Sequence, residues 1–183
     1  MTKRAILPAL MIAVLLTGCG GANAEERIEK QRDDLAAAQE ISFTADVTAN
    51  LETEVFQCTL RCTATPEEVV VEAVEPELIA GVRARMTEGE AALEYDGVQL
   101  SIGGKAGGPL AAMPILFAAL KSGHVIRAWA EQDGELYAAE LYAHDDYALT
   151  MWFDAESLAP VHASLSADGA EFLGCEIRDF QFR

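Results

Sequence analysis

Two basic residues, Lys3 and Arg4, precede an apolar stretch over residues 5–16 that runs into Leu16-Thr17-Gly18-Cys19. Over residues 25–40 charges dominate, while Ile28, Leu35 and several alanines recur at helical spacing, which predicts a helix with a thin apolar stripe. At Ile41 the period drops to two. Phe43, Ala45, Val47 and Ala49 alternate with Ser42, Thr44, Asp46 and Thr48, and Phe56, Cys58, Leu60 and Cys62 alternate with Gln57, Thr59, Arg61 and Thr63. Such alternation predicts strands buried on one face. Further strands are predicted at 69–74, at 78–86 with a bend at Gly81, at 90–95 and at 98–102. The glycine-rich interruption 103–108 leads into residues 109–120, which are apolar almost all round. Pro114 suits the first position of a helix there, and Gly123 suits its stop. Strands return at 124–132, 135–143, 147–154, 161–166 and 171–182.

Asp96-Gly97, Asp133-Gly134 and Asp168-Gly169 each separate two such runs with the residues a tight hairpin needs, and Asp145-Asp146 precedes another strand. About ten antiparallel strands with one N-terminal helix and one inserted apolar helix make an α+β chain. A sheet that wide either covers a face with helices or closes into a barrel.

The start of the chain has the order of an export signal: positive, then apolar, then small residues. Leu16-Thr17-Gly18-Cys19 has the lipobox pattern, which predicts a lipoprotein signal over residues 1–18 and diacylglycerol, with a possible N-acyl chain, on Cys19. The competing reading is an ordinary signal cut near Ala22-Asn23-Ala24. Residues 19–26 are then expected as a lipidated tether and 27–183 as one domain on the extracytoplasmic face of the cell membrane. The net charge is −17, and loss of the signal removes two bases and no acid. So acidic a chain argues against nucleic acid and against docking on anionic headgroups, so the membrane is reached through the lipid.

Chemistry-bearing motifs are few. Beyond Cys19 the chain has Cys58, Cys62 and Cys175. Four residues apart on one strand, Cys58 and Cys62 stand about 13 Å from each other, so a disulfide would pair Cys175 with one of them. Their spacing is wrong for a zinc knuckle, His144 and Asp146 read as a solvated turn, and no metal or other cofactor is expected. Residues 103–108 lack the Lys-Ser/Thr pair of a phosphate loop, and no Gly-x-Ser-x-Gly elbow occurs, so no catalytic residues are assigned and an enzyme is not expected. Apolar side chains are more informative. Tyr147, Leu149, Met151 and Phe153 share one strand face, and Met113, Phe117 and Leu120 on the inserted helix face the same need for burial. With Trp129 these residues (Met113, Phe117, Leu120, Trp129, Met151, Phe153) make either a plain core or the lining of a hydrophobic groove.

The helix leading through Leu35 into Ile41–Val47, the hairpin Leu93-Glu94-Tyr95-Asp96-Gly97-Val98-Gln99-Leu100, and the stretch Met151-Trp152-Phe153-Asp154 through Ser157 and Pro160 resemble the LolA/LolB-like lipoprotein-sorting superfamily. That resemblance implies a strongly curved, unclosed antiparallel half-barrel with helices on its concave side, binding acyl chains or hydrophobic peptide there. The soluble carrier of that superfamily is not lipidated, so a shuttle role is not implied, and its lid-latching arginine does not map onto any particular residue of this sequence. Lipidated Gram-positive proteins of this fold also support cell-wall or spore-germination enzymes. Two functions follow as expectations: binding of a lipid, lipoprotein or hydrophobic peptide in the concavity, or a non-catalytic scaffold for an envelope enzyme.

Overall fold

The computed structural model describes residues 20–51, 54–87, 90–101, 109–144 and 147–183. The signal segment, Cys19 and the 103–108 interruption lie outside them. Helix α1 runs Gly20–Ala37, so residues 20–26, expected as a lipidated tether, belong to the helix. Ala24, Ile28 and Leu35 are fully buried along one side of α1, and this stripe seats the helix from its second turn onward. At its end Gln39 and Glu40 both donate backbone N–H bonds to the Arg183 carbonyl, and the chain turns into the sheet.

Strands β1 (Ile41–Leu51), β2 (Glu54–Ala64), β3 (Glu68–Glu75), β4 (Arg83–Thr87), β5 (Glu90–Tyr95) and β6 (Val98–Ser101) precede α2 (Pro109–Ser122). Strands β7 (Val125–Glu131), β8 (Leu136–His144), β9 (Tyr147–Asp154), β10 (Pro160–Ala167) and β11 (Ala170–Phe182) follow it. All eleven form one sheet in the order β6-β5-β4-β3-β2-β1-β11-β10-β9-β8-β7. Every neighbouring pair is antiparallel. The sheet does not close, since β6 and β7 stand at opposite edges. It is the unclosed half-barrel with two helices that the resemblance implied.

Hairpin turns fall where Asp-Gly pairs predicted them. Asp96 and Gly97 have φ of 48° and 76°, and Asp168 and Gly169 have 52° and 78°, the pair of positive values a two-residue turn requires. Two expectations change. Residues 78–86 are not one strand: Gly81, at φ 85°, ends a turn in which Ile79 donates to the Pro76 carbonyl, and only Arg83–Thr87 joins the sheet. Helix α2 begins at Pro109, whose fixed φ and missing N–H fit a first turn, so Pro114 sits inside the helix.

Inner-face residues alternate strictly along β1, where Ile41, Phe43, Ala45, Val47 and Ala49 are buried. Small inner residues on five strands, Ala45, Ala73, Ala84, Ala139 and Ala163, let the helices approach the sheet closely. Helix α2 contacts α1, β3 and β8 and so lies in the concavity, where the Phe117 ring centroid comes 4.9 Å from that of Phe43. Its apolar circumference is explained by burial on several sides.

Gly123 ends α2 by donating to the Ala118 and Ala119 carbonyls, and a Cβ there would stand 2.5 Å from the Tyr142 backbone oxygen. Gly123→Ala is expected to destabilise the protein by about 1–3 kcal/mol through this overpacking, read as a lower denaturation midpoint with an unchanged denaturant slope.

Candidate ligand-binding face of the sheet

Register places one row of side chains across half the concave surface. Phe43 on β1 faces Cys62 on β2, Cys62 faces Val71 on β3, Val71 faces Ala84 on β4, Ala84 faces Leu93 on β5, and Leu93 faces Leu100 on β6. Burial along this row is complete from Phe43 to Ala84, partial at Leu93, and lost at Leu100, which is 62% exposed. Tyr95 and Val98 pair on the same side of the hairpin and are also exposed, at 56% and 70%. The helices pack chiefly against β3, β7 and β8, and the apolar inner face continues to Leu93, Tyr95, Val98 and Leu100 with falling burial. Beside this hairpin a depression of about 390 Å³ is lined by Gly81, Arg83, Glu94 and residues 95–99.

Of the groove residues expected from sequence, Met113, Phe117, Leu120, Met151 and Phe153 come together, each at most 1% exposed, within one buried apolar cluster. Trp129 does not join them. A bulge between Val125 and Arg127 and the register with β8 put Trp129 opposite Ala138, which pairs with Trp152 on the outer face. There Glu131 accepts the indole N–H of Trp129 at 2.7 Å and that of Trp152 at 2.9 Å, and the Arg127 guanidinium lies 5.1 Å from the Trp129 ring centre. His162 meets Trp152 edge-on at 4.9 Å, and its Nδ1 is 3.1 Å from Glu176. The sequence marks Leu93, Tyr95, Val98 and Leu100 only as parts of a turn and its strands. Their one distinguishing signal is a β6 with no charged residue.

Cys58, Cys62 and Cys175 are free thiols, so the expected bridge to Cys175 is not formed. Val47 is the reason for Cys58, because it stands between Cys58 and Cys175 in the ladder and holds them two strands apart, about 9.6 Å. Burial pushes the Cys58 thiol up to about 11 and the Cys175 thiol up to about 12. The Cys62 thiol rises as well, again chiefly through desolvation. Among the described residues no group of three His, Cys, Asp or Glu side chains is placed to hold a metal ion, and no helix is long and apolar enough to cross a membrane.

Reaction of these thiols with iodoacetamide at pH 8 is expected to be at least about a hundredfold slower in the native than in the denatured protein, the factor set by a rise from 9.0 to about 11 at Cys58. Fast native labelling, read by mass spectrometry, would contradict the burial. Because these thiols hold their protons more tightly when folded, their contribution to stability is complete below pH about 9. It falls as pH rises toward 12, which urea melts across that range would register.

The sequence matches no family model and no curated protein. In three dimensions the chain is similar to LprF from Mycobacterium bovis, with 14% identity, 88% of this chain and 94% of that one covered, and a TM-score of 0.51. An uncharacterized conserved protein from Thermus thermophilus has 13% identity, covers 86% of each chain and gives a TM-score of 0.50. A LolA superfamily protein from Nitrosomonas europaea has 12% identity, covers 87% of this chain and 93% of that one, and gives 0.47. At these identities the likeness is one of fold alone, the fold shared with LprF and the Thermus thermophilus protein.

Proposed function

We propose that this chain is a lipid-anchored, non-catalytic protein of the cell envelope that holds an apolar ligand, a lipid, the acyl part of a lipoprotein or a hydrophobic peptide, on the concave face of its sheet. One observation carries the reading: the apolar inner row continues onto β5 and β6, partly buried at Leu93 and exposed at Tyr95, Val98 and Leu100. Leaving large apolar side chains in water on a curved surface is costly unless something apolar visits it. Deeper in the concavity, α2 fills the space with Met113, Phe117 and Leu120, so a long acyl chain would extend inward only as α2 yields. Attachment through Cys19 supplies the membrane contact, in line with the lipobox spacing.

Native mass spectrometry of the gently solubilised protein is expected to show a bound apolar molecule, and a polarity-sensitive fatty-acid probe should bind and be displaced by lipid. Leu93→Asp, on the inner face of β5, is expected to weaken probe binding at least about tenfold, because it buries a charge against the ligand, while far-UV dichroism is unchanged. A ligand-free spectrum together with no probe uptake would overturn the reading. Separately, Cys19→Ala is expected to move the protein from the membrane to the soluble fraction; persistence on the membrane would remove the anchor.

A further inference from the structure

Arginine is treated in two ways by this chain. On the strands and at the chain end each one meets a carboxylate: Arg61 and Arg83 on Glu72, Arg85 between Glu68 and Glu94, Arg127 on Glu140, Arg178 on Asp46 and Arg183 on Glu40. Helix α1 carries two arginines that are held otherwise. Arg27 donates from Nη1 to the Tyr137 hydroxyl at 3.1 Å, with its guanidinium carbon 5.2 Å from the centre of that ring. Arg32 has no such neighbour. Among the described residues it makes no hydrogen bond or ion pair, and its Nε is the one buried side-chain nitrogen or oxygen left without a partner.

The place of Arg32 is as unusual as its isolation. It stands four residues after Ile28 and three before Leu35, both fully buried, and so at the margin of the stripe that seats α1. Helical side chains lean toward the N-terminus, so its stem covers the turn that holds Ile28. Arg27 lies five residues back, about 140° round the helix, so the two arginines flank the stripe on opposite sides. Packing of the stem accounts for a buried Nε. It does not account for a missing acceptor, since the chain has 30 acids and each described strand arginine has found one. A donor kept from water without an acceptor is destabilising, and such an atom in a native fold marks the place of an absent water, ion or ligand group. Burial also pulls the Arg32 guanidinium below the usual arginine pKa, against the attraction of its helix neighbours Glu29 and Asp33. The charge is short of opposite charge where it stands.

We propose that Arg32 is an anion-binding residue of the concave side, which takes the phosphate or carboxylate of an amphipathic ligand whose apolar chain lies on the sheet. The assignment rests on the proposed function, an apolar ligand on the concave face, and adds the charge of that ligand. Helix α1 packs on β7, β8 and α2, so Arg32 sets a cation beside the helices that fill the concavity. A guanidinium presents its donors in a planar fork that matches two oxygens of a carboxylate or phosphate, and Nε is half of one such fork. Charge complementarity selects an acidic head over a neutral one. At −17 the chain repels anions in general, so an anion bound here is held by a local cation. Apolar chain and acid together describe a fatty acid or a phospholipid rather than a neutral glycerolipid.

Calorimetric titration of the full chain in neutral phosphatidylcholine nanodiscs, with empty discs as the blank, tests the site with octyl phosphate, 1-octanol and inorganic phosphate. Octyl phosphate is expected to bind at least about tenfold more tightly than 1-octanol, although the net charge of the chain favours the neutral probe. Arg32→Gln should abolish that preference and leave 1-octanol binding unchanged. Arg61→Gln, which removes the same charge from the outer face, should keep it. Equal affinity for the two alkyl probes, or a preference that survives Arg32→Gln, overturns the anion site and leaves the apolar face standing. Inorganic phosphate bound as tightly as octyl phosphate would assign a free anion in place of a lipid head, and overturns the proposal too. Failure of both alkyl probes to bind overturns the apolar face and the Arg32 site together. In the ligand-free protein Arg32→Met, which keeps an apolar stem and deletes the charge, is expected to raise the urea midpoint. A lowered midpoint would make Arg32 a structural residue and overturn the assignment.

Discussion

The pairing of β1 with β11 is the constraint on which the rest of this architecture depends. It is the single place in the described sheet where neighbours in space are not neighbours in sequence. Two meanders, β1–β6 and β7–β11, are fused there through their first and last strands, which drives β6 and β7 to opposite edges. The connection between those two strands must then cross the concavity, and α2 is that crossing. A bulge between Ser42 and Thr44 adjusts the seam, Asp179 adopts a φ of 55° beside it, and Phe180 comes to stack 6.3 Å from Phe43. Arg178 donates to both carboxylate oxygens of Asp46, at 2.9 and 3.1 Å, and holds that carboxyl below the usual range. These groups are half exposed, so the pair chiefly fixes register, while buried Phe43, Ala45, Val47, Cys175 and Ile177 supply the cohesion.

The same topology explains what could be read from the chain. Strands were legible because Phe43 through Ala49 alternate, and hairpins because Asp-Gly pairs admit positive φ at adjacent positions. The apolar circumference of α2 was compatible with burial on several sides or with a movable cover, and its side chains Met113, Leu116, Phe117 and Leu120 are buried. The seam left no local trace, since it pairs residues 41–49 with 173–182 and periodicity reports only near neighbours. Trp129 escapes a sequence reading for a related reason: period two gives the two faces of β7, but the bulge at Val125 and its pairing with β8 decide which face is inward. The cysteines show the limit of spacing arguments, because a residue on the intervening strand, Val47, keeps Cys58 and Cys175 apart and no distance along the chain records it. Covered and uncovered hairpins look alike in sequence, so the exposure of Val98 and Leu100 had to come from the structure.

Side-chain size along the concave face follows the helices. Where α1 and α2 lie, the sheet presents Ala45, Ala139 and Ala163, and the volume is completed by Phe117, Leu116 and Met113 from above. Toward β5 and β6 the inner positions become Leu93, Tyr95, Val98 and Leu100, larger groups with less over them. Burial of apolar groups is worth about 25 cal/mol per Å², so Val98 and Leu100, left largely in water, contribute little of that to folding. Retaining large apolar residues in the least covered part of the sheet is the reverse of what a core alone would require.

Electrostatics separates the two ends of the molecule in a second way. On the outer face, charge is arranged in cross-strand pairs, with Arg85 between Glu68 and Glu94, Arg83 and Arg61 on Glu72, and Arg127 on Glu140. Each of these arginines sits beside at least one acid, and the acids left over carry the net negative charge. A strand inserted beside this lattice must match its charges or avoid them. Gln99 and Ser101 on the outer side of β6 do the latter, with polar groups that accept a neighbour of either sign. With Val98, Gln99, Leu100 and Ser101, β6 thus stands outside this lattice of paired charges.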